Sequence, residues 1–188
     1  MRRFWPLAVF CLLLGADQAL KLWTVAFWSS NGWPVADATS SGYFYPVIPQ
    51  FLDFHLTYNT GAAWSLFSGA ALPLAILRLL AGIAILVYIL VAKVPSRYRL
   101  IFSMIAAGAA GNAIDGLYQG KVTDMLYSHW LTALMKAINI KALGTSFPIF
   151  NIADSCVVVG TVALLIFGLF EKKPEAASKS NKPSAKVD

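Results

Sequence analysis

Apolar residues gather into four long runs, Phe4–Trp28, Gly69–Ala92, Leu100–Tyr118 and Pro148–Phe170. A membrane-crossing helix needs about 20 such residues, so the pattern predicts four transmembrane helices. The first run does not read as a cleavable leader, because it lacks a small-residue A-x-A site and continues past Lys21 into a Trp-rich end. Cys11 is not in a lipidation motif, since Phe10 stands where a small residue is required.

The pattern changes between the spans. Phe51–Tyr58 alternates, with Phe51, Asp53, His55 and Thr57 on one face and Leu52, Phe54, Leu56 and Tyr58 on the other. That period predicts a strand. Tyr43–Ile48 is an aromatic and β-branched partner for it, and Lys121–Leu126 predicts a third short strand. In Met125–Leu143, Leu126, Trp130, Leu134 and Ile138 recur at helical spacing, with Lys136 and Lys141 opposite. This predicts a helix lying on the membrane surface or packed on the sheet. The fold class expected is an all-α integral membrane protein of four transmembrane helices, with a small extracytoplasmic β-sheet and a surface helix.

Composition agrees with a membrane protein. Of 188 residues, 58% are hydrophobic and 13% charged, with a mean hydropathy of +0.64. Soluble domains run near 45–50% apolar and about 25% charged. Cys11 and Cys156 are too few for a disulfide scaffold or a cysteine-built zinc site. The net charge of +6 does not imply nucleic acid, because of where the charges lie. Ten of the 15 Lys and Arg residues precede span 1, join spans 2 and 3, or follow span 4. The loop 29–68 has none, and the loop 119–147 has three. The positive-inside rule therefore places both termini in the cytoplasm and both long loops outside. Residues 1–171 are expected to form one membrane-embedded domain. Residues 172–188 form a basic tail expected to be disordered near anionic lipid.

The acidic residues carry the candidate chemistry. Asp17, Asp115, Asp124 and Asp154 lie at or beside spans, where a carboxylate is costly and marks function. With a rise of 1.5 Å per residue, Asp17 stands about 20 Å above Phe4 and Asp115 about 24 Å above Arg99, while Asp154 lies about 9 Å below Pro148. All fall in the outer third of the bilayer. The turn Gly116–Gly120 brings Asp124 back toward them. Asp17 and Lys21 are spaced i, i+4 with Gln18 nearby, and Asn112/Asp115 and Asn151/Asp154 are spaced i, i+3. An Asn amide donates to a carboxylate and fixes its rotamer. The run Ala106–Gly111 allows close helix approach.

Adjacent carboxylates share a proton, and one then acts as base toward water while the other acts as acid. This chemistry needs no metal and no cofactor. The sequence has no HExxH, no GxSxG and no Cys/His constellation, and His55 and His129 stand apart. A proton pathway would need polar residues along whole spans, whereas 100–111 and 157–170 are nearly all apolar. The residues alone leave open whether Asp115 or Asp124 completes a dyad.

Five ordered motifs, Asp17-Gln18-x-x-Lys21, Asn59-Thr60-Gly61-Ala62-Ala63-Trp64, Gly108-Ala109-Ala110-Gly111-Asn112-x-x-Asp115, Val122-Thr123-Asp124 and Phe150-Asn151-Ile152-Ala153-Asp154-Ser155, resemble those of the lipoprotein signal peptidase (signal peptidase II) family. The resemblance runs from about Phe4 to Phe170. It implies a bacterial inner-membrane aspartic endopeptidase that cuts diacylglyceryl-modified prolipoproteins before the lipidated cysteine. It also implies catalytic Asp124 and Asp154, with Asp17, Lys21, Asn59, Gly108, Asn112, Asp115 and Asn151 as supporting residues. It further implies a substrate-cradling outer sheet, block by the cyclic peptide globomycin, and contact with membrane lipid. A monomer is expected, with no nucleic-acid partner. Two departures stand out. Gly116 replaces the Arg that usually follows the Asn-x-x-Asp motif, which leaves a non-cutting lipoprotein binder as a competing reading. The stretch from Asp124 to Asp154 is long for the family. Arg78, inside span 2, could supply the missing charge to Asp115 or Asp17, or reach to the interface.

Overall fold

The computed structural model describes residues 4–36, 42–61, 66, 67, 69–139 and 146–170. The basic tail lies outside them, as do residues 62–65 of the second motif and the predicted end of the surface helix beyond Asn139. Four helices are long and apolar enough to cross a membrane: α1 (Trp5–Ser30), α2 (Ala71–Val91), α3 (Ser96–Gln119) and the last, Ile152–Phe170. Between α1 and α2 run β1 (Tyr45–Ile48) and β2 (Leu52–Asn59). After α3 come β3 (Val122–Ser128) and α4 (His129–Ile138), which makes the last helix α5.

Local chemistry sets the ends of these elements. Pro6 opens α1, where its missing N–H costs nothing. Gly120 closes α3 in the left-handed region at φ +69° and turns the chain into β3. Span 3 begins at Ser96 rather than Leu100, because Pro95 sits at the helix start; Arg97 and Arg99 are therefore helical. Span 4 begins at Ile152 rather than Pro148. Phe150 instead pairs with Leu126 in an antiparallel bridge, its N–H donating to Leu126 O at 3.0 Å.

The sheet is antiparallel in the order β1-β2-β3. Tyr45 faces Phe54, Thr57 faces Asp124 and Asn59 faces Val122. The predicted third strand is longer than Lys121–Leu126 and takes the first residues assigned to the surface helix. Leu126 fits a helical stripe, yet pairing with Phe54 and Phe150 outweighs it. The helix itself starts at His129, where the Ser128 hydroxyl caps Leu131 N–H. Its stripe of Trp130, Leu134 and Ile138 is exposed, while Thr132 is buried. That face has no cover within the described residues, as a helix on a membrane surface requires. In β2 the polar side turns inward at Asp53 and His55, and an irregularity between Phe54 and Thr57 also buries Leu56.

Helix α3 is the centre of the bundle and packs against α1, α2 and α5. Small residues permit this. A Cβ on Gly108 would collide with the Ala153 carbonyl and one on Gly116 would lie 2.6 Å from Ala75 Cβ. One on Gly111 would lie 2.6 Å from an Asp17 carboxylate oxygen. Close approach between helices is thus also what brings the acidic residues together.

Candidate active site

The four span-associated carboxylates meet beneath the sheet, and they divide into two pairs. Asp17 and Asp115 share one cation. Lys21 Nζ lies 2.8 Å from Asp17 Oδ2 and 3.0 Å from Asp115 Oδ2, with all three side chains buried. The amide of Gln18 donates to both acids and to Gly111 O. Asp17 Oδ1 also accepts the Ala153 N–H at 2.8 Å, satisfying an otherwise unpaired amide at the start of α5. Asp115 Oδ2 accepts the Thr123 N–H at 2.9 Å and so ties α3 to β3. These two acids brace the helices.

Asp124 and Asp154 have no ion-pair partner among the described residues, and two asparagines hold them instead. Asn151 donates from Nδ2 to Asp124 Oδ1 at 2.8 Å, to Thr123 O at 3.2 Å and to Asn112 Oδ1 at 3.0 Å. Asn112 Nδ2 donates to Asp154 Oδ1 at 2.7 Å, and its Oδ1 also accepts from Lys21 at 3.1 Å. A chain of amides thus joins the two acids. Asn151 and Asp154 also form a reciprocal cap on α5: Asp154 N–H donates to Asn151 Oδ1 at 2.7 Å, and Asn151 N–H donates to Asp154 Oδ2 at 3.3 Å. The i, i+3 spacing of Asn151 and Asp154 has this origin, whereas the Asn112 amide donates to Asp154 rather than to Asp115. Asn59 accepts Gly61 N–H in a local turn and hydrogen-bonds Asp124. Burial first, and then the neighbouring Asp154 charge, push the Asp124 carboxyl well above the usual carboxylate range.

Both of these acids line a cavity of about 460 Å³ between α2 and α5, floored by α3. Its lower walls are hydrocarbon, from Leu77, Ala81, Ile85, Ile105, Val157 and Val158. Its upper end carries Asn59, Asn112, Asp124, Asp154 and Arg78. Asp17, Lys21 and Asp115 are not part of the lining. The arrangement offers a polar, proton-sharing pair at the end of an apolar groove. Among the described residues, no group of three or more His, Cys, Asp or Glu could hold a metal ion.

All nine residues singled out in the sequence are described. Eight of them form this network, and Gly108 sits at the α3–α5 contact beside it. At three positions the structure adds to the sequence reading. Arg78 does not reach Asp17 or Asp115, which share Lys21; it donates to Gly61 O at 3.4 Å in the wall of the cavity that Asp154 also lines. Its heptad spacing with the buried Ala71, Ala75 and Gly82 was the signal that it faces inward. Gly116 is small because α2 occupies the space an Arg would need. His129, read as standing apart, lies 2.8 Å from the Asp53 carboxylate at the sheet edge. The backbone donors Thr123 and Ala153 carry no signal in the sequence, because any residue type supplies an N–H.

A family model described as signal peptidase (SPase) II matches residues 9–170. The chain is 48% identical over 180 residues to the lipoprotein signal peptidase of Deinococcus radiodurans, covering 94% of this chain and 87% of that protein. It is 32% identical over 171 residues to the lipoprotein signal peptidase of Enterococcus faecalis, covering 90% of each. A solved structure described as a bacterial membrane enzyme aligns with a TM-score of 0.66 at 27% identity, covering 97% of this chain and 94% of that one.

Proposed function

Because this chain belongs to the signal peptidase II family and removes signal peptides from prolipoproteins, we propose that it does so as an aspartic peptidase, with Asp124 and Asp154 as the catalytic pair. The observation that carries this is the division of the acids. Lys21 pairs with both Asp17 and Asp115 away from the cavity, while Asp124 and Asp154 line it with no salt bridge among the described residues.

Two carboxylates this buried hold one proton between them at neutral pH. A water seated between them loses its proton to the ionised member as its oxygen attacks the scissile carbonyl. The protonated member gives its proton to the departing amine, which breaks the peptide bond. Asn112 and Asn151 hold both acids in register, so neither must reorient when the proton moves. Asp17, Lys21 and Asp115 fix the helix ends from which the pair projects.

The groove between α2 and α5 suits a substrate whose diacylglyceryl chains stay in lipid while the peptide moves sideways to the acids. Its narrowness favours small residues before the cysteine. The charge asymmetry of the loops supports cytoplasmic termini and an active site toward the outer leaflet of the bacterial inner membrane. On this reading globomycin blocks the enzyme, which works as a monomer without cofactor, metal or nucleic acid. The test is cleavage of a prolipoprotein by the purified protein in lipid. The diacylglyceryl form is cut and globomycin stops it; equal cutting of the unlipidated precursor would refute the lipid-anchored substrate.

A further inference from the structure

Arg78 lies about 10 Å along α2 from Ala71, within an otherwise apolar span. A cation at that depth is costly, and its retention points to a task. The guanidinium has five N–H donors, yet its side-chain hydrogen bond among the described residues is a single long one, from Nη2 to Gly61 O at 3.4 Å. Nη1 is buried without a partner. A buried donor left unpaired is an unfavourable resting state. It persists here in the wall of the cavity that holds Asp124 and Asp154.

A peptide lying in this groove has its own difficulty. Most of the lining is hydrocarbon, so backbone carbonyls brought into it lose water without gaining donors. The other side-chain amides at the polar end are engaged: Asn112 with Asp154, and Asn59 with Asp124. Among the described side chains of the lining, Arg78 is the donor with capacity to spare, and it is long enough to turn its free nitrogen toward the groove. The packing of Gly116 against Ala75, one turn earlier on α2, brings this helix close to α3 and the acids.

We propose that Arg78 is a substrate-binding residue that donates to a backbone carbonyl of the prolipoprotein beside the scissile bond. This rests on the catalytic reading of Asp124 and Asp154. It makes Arg78 a grip on the peptide rather than a partner for the buried acids.

The experiment uses the full chain in lipid nanodiscs with a diacylglyceryl-modified prolipoprotein. Arg78→Gln is expected to raise KM about tenfold or more, the scale of losing one hydrogen bond from a charged group, while kcat stays within about threefold. An unchanged KM overturns the proposal. So does a fall in kcat alone, which would mean that Arg78 acts on the charge of Asp154. Asp124→Asn is run beside it; continued cleavage by that protein would overturn the catalytic reading instead. If Arg78→Gln does not fold, the side-chain Nε–H resonance of Arg78 in Asp124→Asn protein decides. A shift on adding the lipidated precursor supports the contact, and an unchanged resonance overturns it.

Discussion

Replacing Lys21 by Met removes the charge at the centre of the buried cluster while keeping an unbranched side chain of similar length. Lys21 makes two ion pairs, at 2.8 and 3.0 Å, to side chains that are 1% and 6% exposed. Breaking a buried pair from one side costs about 3–5 kcal/mol, because it leaves an uncompensated charge. Two charges are stranded here, but each keeps other donors: Ala153 N–H and Gln18 for Asp17, Thr123 N–H and Gln18 for Asp115. Those bonds hold the expected cost near about 3–5 kcal/mol rather than twice that. Equilibrium unfolding in mixed micelles, titrated with an anionic detergent, measures it. Adding Asp17→Asn removes one of the stranded charges while keeping an acceptor for Ala153 N–H. The double variant should therefore recover about 1–2 kcal/mol relative to Lys21→Met, since contacting residues are not additive. A Lys21→Met protein within about 0.5 kcal/mol of wild type, or a double variant with strictly additive losses, refutes the shared-cation account.

Asn151 separates stability from catalysis. Asn151→Ala should cost about 1–2 kcal/mol through the lost cap and lower the cleavage rate more than tenfold, whereas Asn151→Ser should restore the stability but not the rate, because a hydroxyl does not span the distance to Asp124. Gly108→Ala should destabilise more than Gly116→Ala, since its methyl meets a backbone carbonyl rather than the Ala75 side chain; the latter should cost about 1–3 kcal/mol, and unfolding midpoints in the reverse order would contradict the packing. The raised Asp124 carboxyl binds its proton more tightly in the folded protein than in the unfolded chain, so its contribution to stability falls as pH rises from about 4. Asp124→Asn should accordingly gain on wild type between pH 5 and pH 8, read from the two unfolding midpoints at each pH, and a constant gap would contradict the burial argument.

Hydropathy located the spans because α1, α2 and α5 leave most of their surface outside the bundle while α3, buried at its centre, is apolar too, and a long apolar run leaves few alternatives. Depth arithmetic located the acids for the same reason: a helix in a bilayer has a known rise and a fixed outer edge. The Asn-x-x-Asp spacing marked a real local device at α5, where Asn151 and Asp154 cap one another. Three features were not legible. The residues gave Asp115 and Asp124 equal standing, because what separates them is the reach of Lys21 across from α1. The stripe beginning at Leu126 looked helical, because strand pairing with Phe54 and Phe150 is decided by partners far along the chain. Charged Arg97 and Arg99 suggested a loop, although Pro95 had already set the helix start. Arg78 was legible in part: its spacing from Ala71, Ala75 and Gly82 turns it inward, but the acid it faces depends on how α2 crosses α3.

The central claim is that the two acids lining the cavity carry the chemistry, while the two bound to Lys21 carry the architecture. Cleavage of the diacylglyceryl-modified precursor by Asp124→Asn, Asp154→Asn and Asp115→Asn proteins, each shown to be folded, tests it most directly. The account predicts loss of cleavage in the first two and a residual, slower cleavage in the third. Abolition by Asp115→Asn together with activity in either of the others would contradict it.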